Sequence, residues 1–416
     1  MSQKYKKNDA ILATYTFSIP ADVDPLEKVQ SFAIGQTIGT WVAVPGLTKG
    51  MIDAYQGEVV DIKALDSSDL VTDCEDAVTY AATLALPAVS IGADIPRLFT
   101  ALLGNDASTS MAAKLTDIQL PASMASRFSG PKYGVAGLRK LLGVQSRPLL
   151  LNMIKPCTGL TPAQGSEIFR ETALGAPDLI KDDELMGDPE FSPIDKRVSA
   201  YNKAAQQAFE ETGHRTIYLP NITAQGTALF ENAARAIDAG ARALMVCYAA
   251  VGYGSVVELR ERFDVPILGH YASANTYYEN ASSGMSAALA LGFFPRLVGA
   301  DMAVINTPYG GYPMRRASYL ATARKLLAAT NGLQESFPVV GGGVKPGVVH
   351  RYLDDLGTDI VLAAGGAIQG HPQGPAAGVR AMHQAINAYM DGVTLEEAAS
   401  EHTELSTALD VFGVVK

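Results

Sequence analysis

Asp178-Leu179-Ile180-Lys181-Asp182-Asp183-Glu184 begins as an apolar strand and ends in four charged residues. Side chains alternate along a strand, so Lys181 and Asp183 can point the same way, and Glu184 can turn toward them where the strand ends. Two carboxylates and an amine then lie near one point. Hard oxygen donors of this kind suit Mg²⁺, which takes one or two carboxylates and leaves positions for water and substrate. Taken alone, the tetrad also reads as a strand running into a solvated loop, with an Asp capping the next helix. The surrounding chain decides between these readings.

Outward from this stretch, apolar runs of strand length alternate with helical stretches. The strands fall at Leu149–Lys155, Asp178–Asp182, Thr216–Pro220, Ala243–Cys247, Val265–His270, Ala300–Asn306, Phe337–Gly341 and Asp359–Ala364. Helical patterns lie between them, including Pro162–Leu174, Thr227–Asp238, Met285–Leu291 and Pro346–Asp355. Eight such units predict an α/β fold with a (β/α)₈ TIM barrel. An open doubly wound sheet is the alternative, but no glycine-rich dinucleotide fingerprint follows the first strand. Before the barrel the order is mixed. A strand at Ile11–Phe17, a helix at Leu26–Ile38, alternation over Gly57–Leu65, a strand at Leu84–Ile91 and a helix at Ile95–Leu103 predict a small α+β domain. The expected division is residues 1–145 for this domain, 146–392 for the barrel and 393–416 for a helical tail packed outside it.

Barrel active sites sit at the C-terminal ends of the strands. Those ends carry Lys155-Pro156-Cys157, then Lys181, Asp183 and Glu184, then Asn221-Ile222-Thr223, then His270-Tyr271. Asn306 and Thr307-Pro308-Tyr309-Gly310-Gly311 follow the sixth strand, Gly341-Gly342-Gly343 the seventh and Gly365-Gly366 the eighth. This convergence favours a site over a solvated loop. Backbone N–H groups reach a phosphate closely where side chains are absent, and the loops after strands seven and eight are the usual phosphate site of a barrel. Each glycine cluster alone also reads as a tight turn. His270 reads as a site residue or a core histidine, Gly370-His371-Pro372 as a structural turn, and Cys157 as a pocket-lining residue rather than a nucleophile.

The 416 residues are 48% hydrophobic and 18% charged, enough for two cored domains. A net charge of −10 argues against nucleic acid or an anionic membrane as partner. Cys74, Cys157 and Cys247 are too few for a disulfide framework or a zinc site. The reading is a cytoplasmic protein, without a signal peptide or membrane span.

At these residues the chain resembles the large-chain family of ribulose-bisphosphate carboxylase, and within it the non-carboxylating RuBisCO-like branch (form IV). The resemblance covers nearly the whole chain and implies a ferredoxin-like α+β domain before the barrel. It also implies that Lys181, in Lys181-Asp182-Asp183-Glu184, takes up CO₂ as a carbamate and binds Mg²⁺ with Asp183 and Glu184. Lys155, in Ile154-Lys155-Pro156, matches an active-site lysine. His270 matches a barrel histidine, and Asn105, in Gly104-Asn105, a substrate-contacting asparagine. Thr40-Trp41 matches a segment reaching the neighbouring subunit's phosphate site, which implies a homodimer with shared active sites. Gly341, Gly342, Gly343, Gly365 and Gly366 match the phosphate loops.

The departures narrow the activity. Carboxylases have glutamate where this chain has Gly35, lysine where it has Cys157 and arginine where it has Tyr271. They also carry a lysine in the loop after strand six, and Asn306–Pro313 has none. CO₂ fixation is therefore not expected. The resemblance implies instead an enediolate formed from a small phosphorylated keto compound by decarboxylation or proton transfer, with Lys155 or the Lys181 carbamate as the base. Possible substrates are an oxo-acid sugar phosphate such as 3-oxo-isoapionate 4-phosphate, 2,3-diketo-5-methylthiopentyl-1-phosphate, for an enolase, and methylthioribulose-1-phosphate, for an isomerase. The diketo enolase has a catalytic lysine where this chain has Asn105. A metal-free barrel isomerase and a non-catalytic phosphate-ester-binding protein are the competing readings.

Overall fold

The computed structural model describes residues 9–65, 77–328 and 332–415; Cys74 lies outside them. The chain divides into two compact units. The first runs to Ser129 and includes Ala274–Ala290, and the second starts at Gly130 and holds the barrel and the tail.

In the first unit, β1 (Ala10–Pro20), β2 (Glu58–Ala64), β3 (Ala77–Pro87) and β4 (Lys114–Gln119) form an antiparallel sheet of order β2-β3-β1-β4. With helices Pro25–Gly35 after β1 and Ile95–Leu103 after β3, this is the βαββαβ ferredoxin-like arrangement. β1 alternates in burial, turning Ile11, Ala13, Tyr15, Phe17 and Ile19 to one face. The two helices cover that face. Phe32 meets Tyr15 edge-on with centroids 5.0 Å apart, and the Tyr15 hydroxyl donates to the Leu102 carbonyl at 2.9 Å. Asp24 and Asp94 cap the two helices through the N–H groups of Leu26 and Arg97, each at 2.8 Å.

Two expectations are corrected. The strand expected at Leu84–Ile91 starts at Ala77 and stops at Pro87, after which Ala88–Ile91 is helical. Proline ends the pairing because it offers no N–H to the ladder. The helix expected from Met285 to Leu291 starts at Ala288, because Met285 forms a bridge with Leu115 on β4. An apolar run this short fits either state, and the sheet partner decides.

The second unit contains all eight expected barrel strands: β5 (Leu149–Met153), β6 (Leu179–Lys181), β7 (Ile217–Leu219), β8 (Leu244–Cys247), β9 (Ile267–His270), β10 (Met302–Ile305), β11 (Phe337–Val340) and β12 (Val361–Ala364). They are parallel, in the order β7-β6-β5-β12-β11-β10-β9-β8. A bridge between Asn221 and Met245 closes the ring, with Met245 N–H donating to Pro220 O at 2.9 Å and Ile222 N–H to Met245 O at 3.0 Å. Leu151, Leu219, Met245, Val304, Val339 and Ala363 belong to its core. Val135 and Leu138, on the helix Gly134–Leu142, join the same core. This compact unit therefore begins at Gly130, ahead of the 145/146 division read from the sequence. Asp301 fixes that helix by accepting the N–H groups of Tyr133 (2.6 Å) and Gly134 (2.9 Å). The tail forms helices Leu395–Glu401 and Thr403–Phe412, with Leu405 and Ala408 buried.

Behind the strand starts, Asp178 accepts both Arg147 Nη atoms at 2.7 and 2.8 Å. His383 lies nearby and bonds the Ala176 carbonyl at 2.9 Å, so its neutral Nε2–H form is the one held. Burial, then the Arg147 charge, push its pKa below the usual value, against the pull of the Ala176 bond and Asp178. Between that lowered value and about 6.5 the unfolded chain therefore binds more protons, and stability falls as pH falls through this window. His383→Gln should flatten the stability–pH curve below about pH 6.5, where one such group contributes at most about 1.4 kcal/mol per pH unit. Urea unfolding at a series of pH values reads this slope.

Candidate active site

Lys181 is the last residue of β6, and its side chain is buried. Its Nζ donates to the Asp182 carbonyl at 2.8 Å. Burial pushes its pKa down, although Glu184, Asp183 and Asp182 pull it up. An ammonium is thus disfavoured here, and a neutral amine is the form that can add to CO₂. Asp183, also buried, receives the Lys155 ammonium on Oδ2 at 2.7 Å and the Leu185 N–H on Oδ1 at 3.2 Å. Burial raises the Asp183 carboxyl, but Lys155 and that N–H outweigh it and hold the pKa below the usual range. Lys155 also donates to Cys157 Sγ at 2.9 Å. Burial alone would lower its pKa, yet Asp183 and Cys157 hold it above the usual lysine value. Lys155 is therefore an ammonium at rest.

His270 ends β9 with Nε2 3.6 Å from Glu184 Oε2. Its Nδ1 accepts the Ala272 N–H at 3.2 Å, which leaves the proton on Nε2, facing the carboxylate. Burial, the largest cause, brings its pKa down to about 3, so the ring is neutral near pH 7. Tyr271, where a carboxylase has arginine, lies parallel to it with centroids 5.1 Å apart.

Asp182 resembles its neighbours in the sequence but does a different job. It is buried and accepts from Tyr218 Oη at 2.6 Å, Arg197 Nη2 at 3.1 Å and the Asn221 N–H at 2.9 Å. Asn221 Nδ2 then holds the carbonyls of Asp183 (3.2 Å) and Glu184 (3.0 Å). These bonds fix the turn that presents the two carboxylates. Arg197 and Tyr218 carry no mark in the sequence that would have found them.

The glycine loops lie on the same barrel. A Cβ on Gly365 would sit 3.8 Å from Lys155 Cε, which places the loop after β12 beside the lysine. Gly342 and Gly343 have φ of 82° and 97°, open to glycine and strained for other residues. The loop after β10 closes onto them: Gly311 N–H donates to Gly342 O at 2.9 Å, and a Cβ on Gly310 would lie 1.8 Å from that oxygen. Tyr309 Oη anchors the loop to Asp355 at 2.7 Å. Gly310→Ala should therefore push the two loops apart, costing about 1–3 kcal/mol in stability. Thermal unfolding reads the cost, and an unchanged midpoint would mean the loops separate freely.

Asn105, Thr40 and Trp41 belong to the first unit. Asn105 precedes the π-helical turn Asp106–Ser110 and lines a cavity of about 470 Å³ with Gln36, Arg97 and Asp106. Trp41 is exposed, its Nε1 donating to Ser31 O at 2.9 Å. At Gly35, where a carboxylase has glutamate, a Cβ would lie 2.5 Å from Asp106 Oδ2. Among the described residues no three or more His, Cys, Asp or Glu side chains are grouped to hold a metal. No helix among the described residues is long and apolar enough to cross a membrane.

A closed barrel with an amine and two carboxylates at one strand end, preceded by a ferredoxin-like domain, defines the class. The sequence matches the ribulose bisphosphate carboxylase large chain, catalytic domain, over residues 134–412 and its N-terminal domain over residues 1–124. The chain belongs to the ribulose bisphosphate carboxylase large-chain family. It is 39% identical over 407 residues to a ribulose bisphosphate carboxylase-like protein of Archaeoglobus fulgidus, covering 96% of this chain and 93% of that one. It is 35% identical over 411 residues to a 2,3-diketo-5-methylthiopentyl-1-phosphate enolase of Geobacillus kaustophilus, covering 98% and 99%. Among solved structures, a rubisco-like protein (MtnW) from Alicyclobacillus acidocaldarius superposes with a TM-score of 0.89 at 35% identity, covering 97% of this chain and 100% of that one. The octameric Rubisco of Pyrococcus horikoshii superposes with a TM-score of 0.90 at 28% identity, covering 100% and 96%.

Proposed function

We propose that this chain is a Mg²⁺-dependent enzyme that forms an enediolate from a phosphorylated keto compound and does not fix CO₂. The observation that carries this reading is the convergence of Lys155, Lys181, Asp183 and Glu184 at one end of the barrel, with glycine loops alongside. Asp183, Glu184 and a carbamate on Lys181 fit the oxygen-donor preference of Mg²⁺. Bound there, the ion supplies positive charge to the oxygen next to the carbon that loses its proton or carboxylate. Lys155, resting as an ammonium against Asp183, is the acid that returns a proton, and a carbamate on Lys181 would be the base that takes one. His270, neutral with Nε2–H presented, donates a hydrogen bond and is a poor base. Gly341–Gly343 and Gly365-Gly366 receive the phosphate and so position the reacting carbon. Asn105, Thr40 and Trp41 complete the site from a second copy, making the enzyme at least a homodimer; related Rubiscos are described as dimeric and octameric.

The names of the curated relatives favour 2,3-diketo-5-methylthiopentyl-1-phosphate among the substrates. Asn105 stands where the diketo enolase has its lysine, so the base would be the Lys181 carbamate instead. The deciding assay incubates the protein with Mg²⁺ in D₂O and follows three compounds by NMR: this diketo phosphate, methylthioribulose-1-phosphate and 3-oxo-isoapionate 4-phosphate. Enol formation, CO₂ release or deuterium on the α-carbon identifies the reaction. Phosphate-ester binding without Mg²⁺ dependence, and no turnover of any of the three, would leave a binding protein instead.

A further inference from the structure

The turn Gly370-His371-Pro372 and the C-terminal helix take no part in the chemistry above, yet both lie directly behind the glycine loops. Lys345 is two residues beyond Gly343, and its Nζ donates to the carbonyl of Phe412, the last residue of the helix Thr403–Phe412. Past that helix Gly413 turns the chain (φ 72°), and Val415 N–H donates to Gly347 O at 2.9 Å. The approach is close: a Cβ on Gly347 would lie 2.3 Å from Gly413 O and 2.8 Å from Val414 Cα.

The other end of the same helix reaches the other loop. His371 is buried, and its Nδ1 accepts the Gln373 N–H at 3.1 Å. The proton is therefore on Nε2, which donates to the Glu404 carbonyl at 3.0 Å. The Glu404 carboxylate accepts from Arg380 (2.9 Å) and Gln384 (3.0 Å) on the helix Pro375–Met390. That helix meets the segment after β12 closely, since a Cβ on Gly378 would lie 2.4 Å from Ile368 O. One ten-residue helix is thus bonded behind the β12 loop at its start and behind the β11 loop at its end.

We propose that this C-terminal helix clamps the two glycine loops to one another and sets the spacing of the N–H groups that take the substrate's phosphate, with Lys345 and His371 as positioning residues. The functional half of this inference rests on the loops holding phosphate, as proposed above.

The test uses the full chain with Lys345→Met, which keeps the stem and removes the donor, and Lys345→Arg, which keeps a donor. Amide hydrogen exchange is measured over residues 341–344 and 365–371, and inorganic phosphate binding by calorimetry. In Lys345→Met, exchange should quicken in both segments and phosphate binding weaken about 10- to 100-fold, the net worth of one hydrogen bond from a charged group. Lys345→Arg should restore both. Faster exchange confined to residues 345–348 and 412–415 overturns the clamp, as does full phosphate affinity with both loops freed. If the unaltered protein binds no inorganic phosphate, the phosphate reading fails, and the exchange pattern still decides the clamp.

Discussion

Lys181→Met should fold and should lose turnover by about 10⁴-fold or more. The fold survives because methionine is unbranched and fills the same space, and because burial already disfavours the ammonium it replaces. The lost bond, from Nζ to the Asp182 carbonyl at 2.8 Å, is a modest net contribution. Activity has no such reserve. Without the amine, the strand end keeps the two carboxylates of Asp183 and Glu184, and Lys155 already holds Asp183 at 2.7 Å. Two measurements separate the roles. Steady-state turnover reads the chemistry. Carbon-13 NMR with labelled bicarbonate reads the modification, with a Mg²⁺-dependent carbamate resonance expected in the unaltered protein and none in Lys181→Met. Turnover within tenfold of the unaltered protein would mean that the chemistry runs without this lysine, as a metal-free isomerase would. Asp183→Asn should lose turnover similarly but by a second route, since it also strips Lys155 of the carboxylate that holds it as an ammonium.

Much of this site is legible in the sequence because parallel barrel strands are buried on both faces. They read as uninterrupted apolar runs, and the charges that end them stand out by contrast. Leu179-Ile180 followed by four charged residues is such a case, and His270 after Ile267-Leu268-Gly269 is another. The glycine loops are legible only as a pair: each cluster alone reads as a tight turn, and two clusters after adjacent strands point to a phosphate site. What the sequence hides is the partner each charge meets. Asp182 lies between Lys181 and Asp183, and strand alternation turns it away from both without saying what it meets there. In the fold, Asp182 serves Arg197 and Tyr218, and neither has a local signature, because their partner lies on another element. The Met285–Leu291 segment failed for a related reason: its apolar spacing fits a helix, and the pairing of Met285 with Leu115 depends on a strand far away in the chain.

That hidden partnership carries the largest expected loss of stability. Arg197 is fully buried, with Nε 3.2 Å and Nη2 3.1 Å from Asp182 Oδ2, Nη2 2.7 Å from the Gly187 carbonyl and Nη1 on the Ser192 carbonyl. Arg197→Met removes the cation and leaves the Asp182 carboxylate buried without its charge partner, which costs about 3–5 kcal/mol. Tyr218 Oη and the Asn221 N–H still reach Asp182 but bring no opposite charge. Neutralising the carboxylate as well, in Asp182→Asn/Arg197→Met, should recover part of the loss, because an amide oxygen can accept from the same two donors without the charge penalty. Denaturant unfolding of the two single variants and the double variant reads this coupling. A loss below about 1 kcal/mol in Arg197→Met would mean that the guanidinium is replaceable packing. Turnover adds an independent check. Asp182 holds the Asn221 backbone, and the Asn221 side chain holds the carbonyls of Asp183 and Glu184. Arg197→Met should lose turnover even at temperatures where it stays folded, because the Gly187 and Ser192 carbonyls just past the turn that aims the two carboxylates lose their donor.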